Sequence, residues 1–259
     1  MNIDPRAIVS PHAQLGDDVT IGPNSIIEDD VVIGSGTIIA ANALIANGAR
    51  IGKECRIHHG AVVASPPQDL KFRGEPSIME IGDHTTLREY VTANRGTGDQ
   101  GKTSIGHHCF IMAYAHIAHD CSVGNHVILA NSVNMAGHVI IDDHAVIGGI
   151  VAIHQFCHVG RNTMIGGGFR VVKDVPPYIL AGHEPLTYQG LNVVGLRRKN
   201  FTPEEIATIE KAYMAIYHEQ LNVTQAVAKI RATLPMTDEI LRIIDFIEHS
   251  KRGIIWNHK

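Results

Sequence analysis

The chain has 259 residues, room for one large domain or two unequal ones. Its net charge of -4, with both signs mixed, argues against a nucleic-acid binder. No apolar run approaches the ~20 residues of a membrane span. Aromatics make up only 5% of residues against 44% hydrophobic, so small and branched aliphatics must fill the interior. Met1-Asn2-Ile3-Asp4-Pro5 has no basic region followed by an apolar segment. The expected compartment is therefore the cytoplasm.

Every sixth residue from Ile3 is aliphatic, through Val9, Leu15, Ile21, Ile27, Ile33, Ile39, Ile45, Ile51, Ile57 and Val63. The same register returns at Ile81 and Leu87 and again from Ile105 to Val171. It misses at Asp69, Glu75, Ala93 and Asp99. The next residue is often Gly, and the fifth is small or β-branched, as at Val19, Ser25, Val31 and Thr37. A short fixed period means a solenoid, and a spacing of six does not suit a helix. Positions one and five share one side of a strand, so both point inward. Three hexads make a triangular coil of 18 residues, and coils stack at about 4.8 Å.

Two stretches keep the register but lose the aliphatic, Asp69 to Glu80 and Asp99 to Ser104. They read as loops thrown out of a coil, placed near 69–80 and 95–104, where solenoids often bind. The repeat ends at Pro176-Pro177, which sets a β-helix over 1–177, a linker over 178–190 and a helical domain over 191–259. Thr202-Pro203-Glu204-Glu205 carries a capping-box pattern. A helical stripe follows through Ile206, Ile209, Ala212, Tyr213, Ile216 and Tyr217. Another helix starts at Thr237, with Ile240, Ile243, Ile244 and Ile247 buried, and a third lies near Gln225 to Leu234.

All four cysteines, Cys55, Cys109, Cys121 and Cys157, occupy position five. They read as small buried hydrophobes, with disulfides or metal ligation as the alternatives. His12, His84, His126 and His144 fall at position four, where a solvated corner is expected. His116 to Cys121 is different, with two imidazoles, a carboxylate and a thiol in six residues. One coil on, His119 stacks under Gly137, and Gly137 under Gln155, while Asp120 stacks under His138. This leaves a notch above an imidazole whose ordinary pKa near ~6.5 suits a general base. A glycine N–H there suits an oxyanion. Strict strand alternation would aim Asp120 away from His119; only a corner bend lets them cooperate. Structural polar stacking is the competing reading, and zinc held by His116, His119 and His138 is another. A non-enzymatic β-helix would present uniform outer faces, which this polar rung does not.

Several motifs occur in one order: Gln68-Asp69-Leu70-Lys71, Arg95-Gly96-Thr97, His116 to Cys121, Ala136-Gly137-His138, His154-Gln155-Phe156-Cys157, Asp174 to Tyr178 and Asn192 to Leu196. With them the whole chain resembles the acyl-carrier-protein:UDP-N-acetylglucosamine O-acyltransferases, which begin lipid A synthesis in Gram-negative bacteria. The resemblance implies a left-handed parallel β-helix, although parallel crossovers are ordinarily right-handed. It implies a homotrimer with active sites between subunits, acyl carrier protein and a UDP-sugar as partners, and no metal or bound cofactor. His119 would be the base, Asp120 its orienting partner, and the Gly137 N–H the oxyanion donor. Asp69, Lys71, His116, His138 and Gln155 would hold sugar, diphosphate and acyl chain, with His154 beside the acyl channel. Asn192 and Arg198 would meet the nucleotide, and Arg197-Arg198-Lys199 would suit the acidic carrier. Gly167 would leave room for chains of twelve carbons or more. Asn94 stands where the family often has His, and Val194 where it often has Glu. That makes the 3-amino analogue of the sugar the second acceptor to weigh.

Overall fold

The computed structural model describes residues 1–257. Strands of two to four residues wind into three parallel sheets, one on each side of a triangular prism. Ile3 pairs with Ile21 and Ile117 with Met135, so one coil advances eighteen residues. Position-one aliphatics are buried from Ile21 to Val171. Each contributes roughly 1.5–3 kcal/mol of burial, so a thin core of Ile and Val holds without aromatic bulk.

Position five carries a second device. The hydroxyls of Ser25, Thr37 and Thr85 donate to corner carbonyls of Ala40, Gly52 and Gly106 at 2.7, 2.9 and 2.7 Å. Cys55, Cys109 and Cys121 aim their thiols at Gly82, Gly124 and Ala136 carbonyls, 3.2, 3.0 and 3.2 Å away, in the same way. All four cysteines are free and buried. Burial pushes the Cys121 thiol up to about 12 and those of Cys109 and Cys157 to about 11, so they pack as inert small groups.

Position four turns most corners in the left-handed region, at Asp18, Asn24, Asn42, His84, Asp120 and His138 among others. Asn and Asp tolerate that region better than most side chains, which accounts for the polar corners. The position-two glycines answer a different need. A Cβ on Gly34 would lie 2.6 Å from the Gly52 backbone in the next coil, and one on Gly82 2.7 Å from Gly106. The corner histidines His84, His108, His126 and His144 stack ring on ring at 4.7, 4.9 and 4.7 Å. His12, His84 and His126 are exposed as expected, but His144 is half-buried and lines one cavity with Lys199 and Phe201.

Both loop insertions end earlier than their sequence suggests. Strands Ile78–Ile81 and Lys102–Ile105 reclaim the ends of both gaps, leaving loops over 66–77 and 95–101. Pairing with Ala49–Ile51 below extends the strand, and Met79 fills the inward site. Glu80 points out and meets Lys102 at 2.8 Å. Ala93 is no miss: it points inward, fully buried, opposite Ile117.

The stretch 178–190 is no linker. Ile179–Gly182 and Thr187–Leu191 form an antiparallel hairpin that extends the longest sheet, joined by Trp256–Asn257. Four helices follow: α1 Val193–Arg198, α2 Pro203–Tyr217, α3 Val223–Thr233 and α4 Asp238–His249. The sequence signals mark α2 to α4 but not α1, which is too short for a periodic stripe. The Thr202/Glu205 capping box is formed. Ile240, Ile243, Ile244 and Ile247 of α4 are buried. The Tyr213 hydroxyl of α2 donates to the Pro177 carbonyl at 2.6 Å and ties the helices to the top of the prism.

Candidate active site

His116–Ile117 is a two-residue strand that ends at the corner holding His119 and Asp120. Ile117 points into the core, so the chain must turn at once. Asp120 makes the turn with φ of 58°. That left-handed backbone swings its carboxylate back onto the neighbouring ring. Asp120 Oδ2 lies 2.7 Å from His119 Nδ1. The carboxylate is wholly shielded from solvent, and the imidazole is 13% exposed. A carboxylate at Nδ1 requires the proton there, which leaves Nε2 as the free basic nitrogen.

Asp120 is held from the other side by the 95–101 loop. The Thr97 N–H donates to Oδ1 at 2.9 Å and the Thr97 hydroxyl to Oδ2 at 2.8 Å. The Asp120 N–H donates to the Thr103 hydroxyl at 2.8 Å. Burial pushes the carboxyl up, but the bonds from His119 and Thr97 more than offset it and hold it below the ordinary range.

Gly137 stands one coil on, directly over the ring. A Cβ there would lie 2.6 Å from His119 Cε1 and 2.8 Å from Nε2, so only glycine fits. Among the described residues no hydrogen bond engages the Gly137 N–H. His138 crosses the His119 ring edge-on at 5.3 Å and places Nε2 3.7 Å from Asp120 Oδ2. Phe156 stacks on His138 at 4.7 Å. His116 shares a 2.7 Å hydrogen bond with the Thr92 hydroxyl. Burial, then the nearby His119, lowers its proton affinity below that of an ordinary imidazole. His154 and Gln155 lie exposed on the same corner, one coil past Gly137.

Other sequence-predicted residues lie elsewhere. Asp69 caps its own loop by accepting the Lys71 N–H at 2.9 Å, and Lys71 is exposed. That loop is bolted to the 95–101 loop by Gly98 N–H to Glu75 at 3.3 Å, and Arg95 packs over Phe72. Asn94, expected to meet substrate, is only 2% exposed and spends its amide on the Ser65 hydroxyl and the Pro66 carbonyl, at 2.8 and 3.1 Å. Its amide pins the base of the 66–77 loop, because strand Thr92–Asn94 runs alongside Val62–Ser65. Gly167 lies above Gly149 on a second corner of the prism. Asn192 caps α1 and bonds the Asn162 carbonyl at 2.9 Å on the third corner. Arg197, Arg198 and Lys199 are exposed at the end of α1, and Val194 is 61% exposed in its first turn. One chain therefore does not bring Gly167, Asn192 or Arg198 to His119.

Thr97 and Thr103, which hold Asp120, are given no role by the sequence pattern. The only signal was Arg95-Gly96-Thr97 at the neck of an insertion. As for metal, one ligand-type trio exists among the described residues, His119, Asp120 and His138, and His116 is not in it. Both Asp120 oxygens already accept hydrogen bonds, so the trio reads as a proton-handling network.

A triangular hexapeptide coil with a buried carboxylate–imidazole dyad at one corner defines a hexapeptide-repeat acyltransferase. The family model for bacterial transferase hexapeptides matches residues 12–47, 30–65 and 102–137, and that for UDP-N-acetylglucosamine O-acyltransferase domain 2 matches 174–255. The acyl-[acyl-carrier-protein]--UDP-N-acetylglucosamine O-acyltransferase of Thiobacillus denitrificans is 43% identical, with 98% of each chain covered. That of Ectopseudomonas mendocina is 44% identical with the same coverage. The solved UDP-N-acetylglucosamine acyltransferase of Bacteroides fragilis superposes with a TM-score of 0.96 at 49% identity, over 97% of this chain and 99% of that one. The chain belongs to the acyl-[acyl-carrier-protein]--UDP-N-acetylglucosamine O-acyltransferase family, and its coil is the left-handed β-helix of that family.

Proposed function

We propose that this enzyme transfers a (3-hydroxy)fatty acyl group from acyl carrier protein to the 3-hydroxyl of UDP-N-acetylglucosamine, the first step of lipid A synthesis, in the cytoplasm. The observation that carries the mechanism is the 2.7 Å contact between Asp120 and His119 beneath the free Gly137 N–H. His119 Nε2 takes the hydroxyl proton as the sugar oxygen attacks the thioester carbonyl. The tetrahedral oxyanion accepts from the Gly137 N–H. Collapse breaks the C–S bond, and His119 returns the proton to the departing thiolate. The carbon–oxygen bond of the ester remains. The donor brings its activation as a thioester and the base activates the nucleophile, so no metal or bound cofactor enters these steps.

Among the described residues no helix is long and apolar enough to cross a membrane. Large apolar side chains stand out on the prism corners, Ile150 at 73% exposed, Tyr114 at 60% and Phe156 at 51%. A homotrimer would bury such corners. It would also set Gly167, Asn192 and Arg198 of one subunit against His119 of its neighbour, with Asp69, Lys71, His116, His138, His154 and Gln155 lining the cleft. Relatives 43 and 44% identical over nearly the whole chain carry the UDP-N-acetylglucosamine acceptor in their names, which favours it over the 3-amino analogue. The test competes UDP-N-acetylglucosamine with its 3-amino analogue, using acyl carrier protein and coenzyme A thioesters of graded length. Ester formed from the carrier-protein donor is expected. Amide as the dominant product, or no carrier preference, would overturn the reading.

A further inference from the structure

The 95–101 insertion emerges in the coil beneath Asp120. Ile105 pairs with Ile81, not eighteen residues back, so the loop is extra chain at this one rung. Its neck is tight. A Cβ on Gly96 would lie 2.4 Å from the Lys102 nitrogen, and the Gly101 N–H donates to the Thr97 carbonyl at 2.8 Å. Thr97 is thereby fixed and is 7% exposed. Its hydroxyl accepts the Asp99 N–H at 3.3 Å, so its one proton is left for Asp120 Oδ2 at 2.8 Å. A buried carboxylate is tolerated only when paired and hydrogen-bonded. Asp120 meets that condition through His119 and Thr97 alone, with His138 farther off at 3.7 Å.

We propose that Thr97 is a positioning residue for acyl transfer. It clamps both oxygens of Asp120 and so sets the orientation and proton affinity of His119. This rests on His119 acting as the base. With both Thr97 donors in place the carboxylate cannot swivel, and its charge is shared between the hydroxyl and the imidazole N–H. Without the hydroxyl, Oδ2 has only His119. The carboxylate then binds the imidazolium more firmly, and the base is protonated to a higher pH. The other groups facing Asp120 are Thr103 from the strand below and His138 from the coil above, the latter with Asp99 at 3.8 Å from its Nδ1.

The test compares Thr97→Val, Thr97→Ala and Thr97→Ser by steady-state kinetics, pH–rate profile and thermal melt. Losing a hydrogen bond to a charged group predicts a kcat about tenfold lower for Val and Ala. Both KM values should hold within about twofold, and the acid limb of kcat/KM should rise by about half a pH unit or more. Ser should restore wild-type behaviour. Wild-type kcat in Val and Ala, a lower kcat with an unmoved acid limb, or a Ser variant as poor as Val would each overturn the proposal. Added to His119→Ala, Thr97→Val should cost nothing further; a full independent loss there would also overturn it. A dead His119→Ala beside an unaffected Thr97→Val removes this inference alone, whereas a His119→Ala at wild-type rate removes the base as well.

Discussion

Gly137→Ala tests the dyad without touching either of its members. The new Cβ would lie 2.6 Å from His119 Cε1, 2.8 Å from Nε2 and 3.1 Å from Nδ1. Carbon contacts settle at about 3.5–4.0 Å, so the ring must retreat by about 1 Å. It cannot do so and keep the 2.7 Å bond to Asp120, which Thr97 holds in place. A displacement of about 1 Å at the reacting group costs on the order of 10²-fold, or about 2.7 kcal/mol of barrier. The N–H of residue 137 survives the substitution, so the loss reports on the base and not on the oxyanion donor. Gly137 does not have positive φ, so alanine adds no backbone strain. The new Cβ overpacks a closed site, at a cost of about 1–3 kcal/mol, partly offset by about 0.4–1 kcal/mol gained through the unfolded chain. The assay is kcat at saturating donor and acceptor, with a thermal melt alongside. The expected result is a well-folded variant about a hundredfold slower. A kcat within threefold of wild type would refute the steric account.

Asp120→Asn should lose turnover, because a neutral amide does not stabilise the imidazolium, and it should change the acid stability. The folded Asp120 carboxyl is held low, so its contribution is present above the unfolded value of about 3.9 and is lost as pH falls through the lower folded value. The gap in urea midpoint between wild type and Asn should therefore narrow below about pH 4; a constant gap would contradict the assignment. Tyr213→Phe leaves the Pro177 carbonyl without its buried donor and should cost about 1–3 kcal/mol in urea unfolding, with kcat little changed. Gly167→Met should shift donor preference toward shorter acyl chains, and an unchanged preference in a chain-length panel would remove Gly167 from the acyl channel.

The prism was legible because one physical rule repeats. An inward aliphatic every six residues fixes the strands, and polar corners mark the turns. Position five was read as small, and the structure adds that its hydroxyls and thiols satisfy corner carbonyls. The site was half legible. The column of His119, Gly137 and Gln155 follows from counting eighteen, but the Asp120 contact depends on a left-handed φ that no composition states. Thr97 was hidden because an insertion has no register, and only folding brings it under Asp120. The surroundings of Asn94 were hidden for a related reason. It was read for its charge, whereas strand pairing turns it toward Ser65 and Pro66. The hairpin over 179–191 was masked by the prolines and glycines around it, which read as a linker. Alternation is weak over four or five residues, and the sheet edge supplies the rest.

The central claim is that His119, oriented by Asp120, is the general base of acyl transfer. It is tested most directly by His119→Ala assayed with purified acyl carrier protein thioester and UDP-N-acetylglucosamine, with sedimentation to check the assembly. A positioned base contributes typically ~10²–10⁴-fold. The account predicts a loss of that size in kcat with the oligomer unchanged. A variant that turns over near the wild-type rate would contradict it.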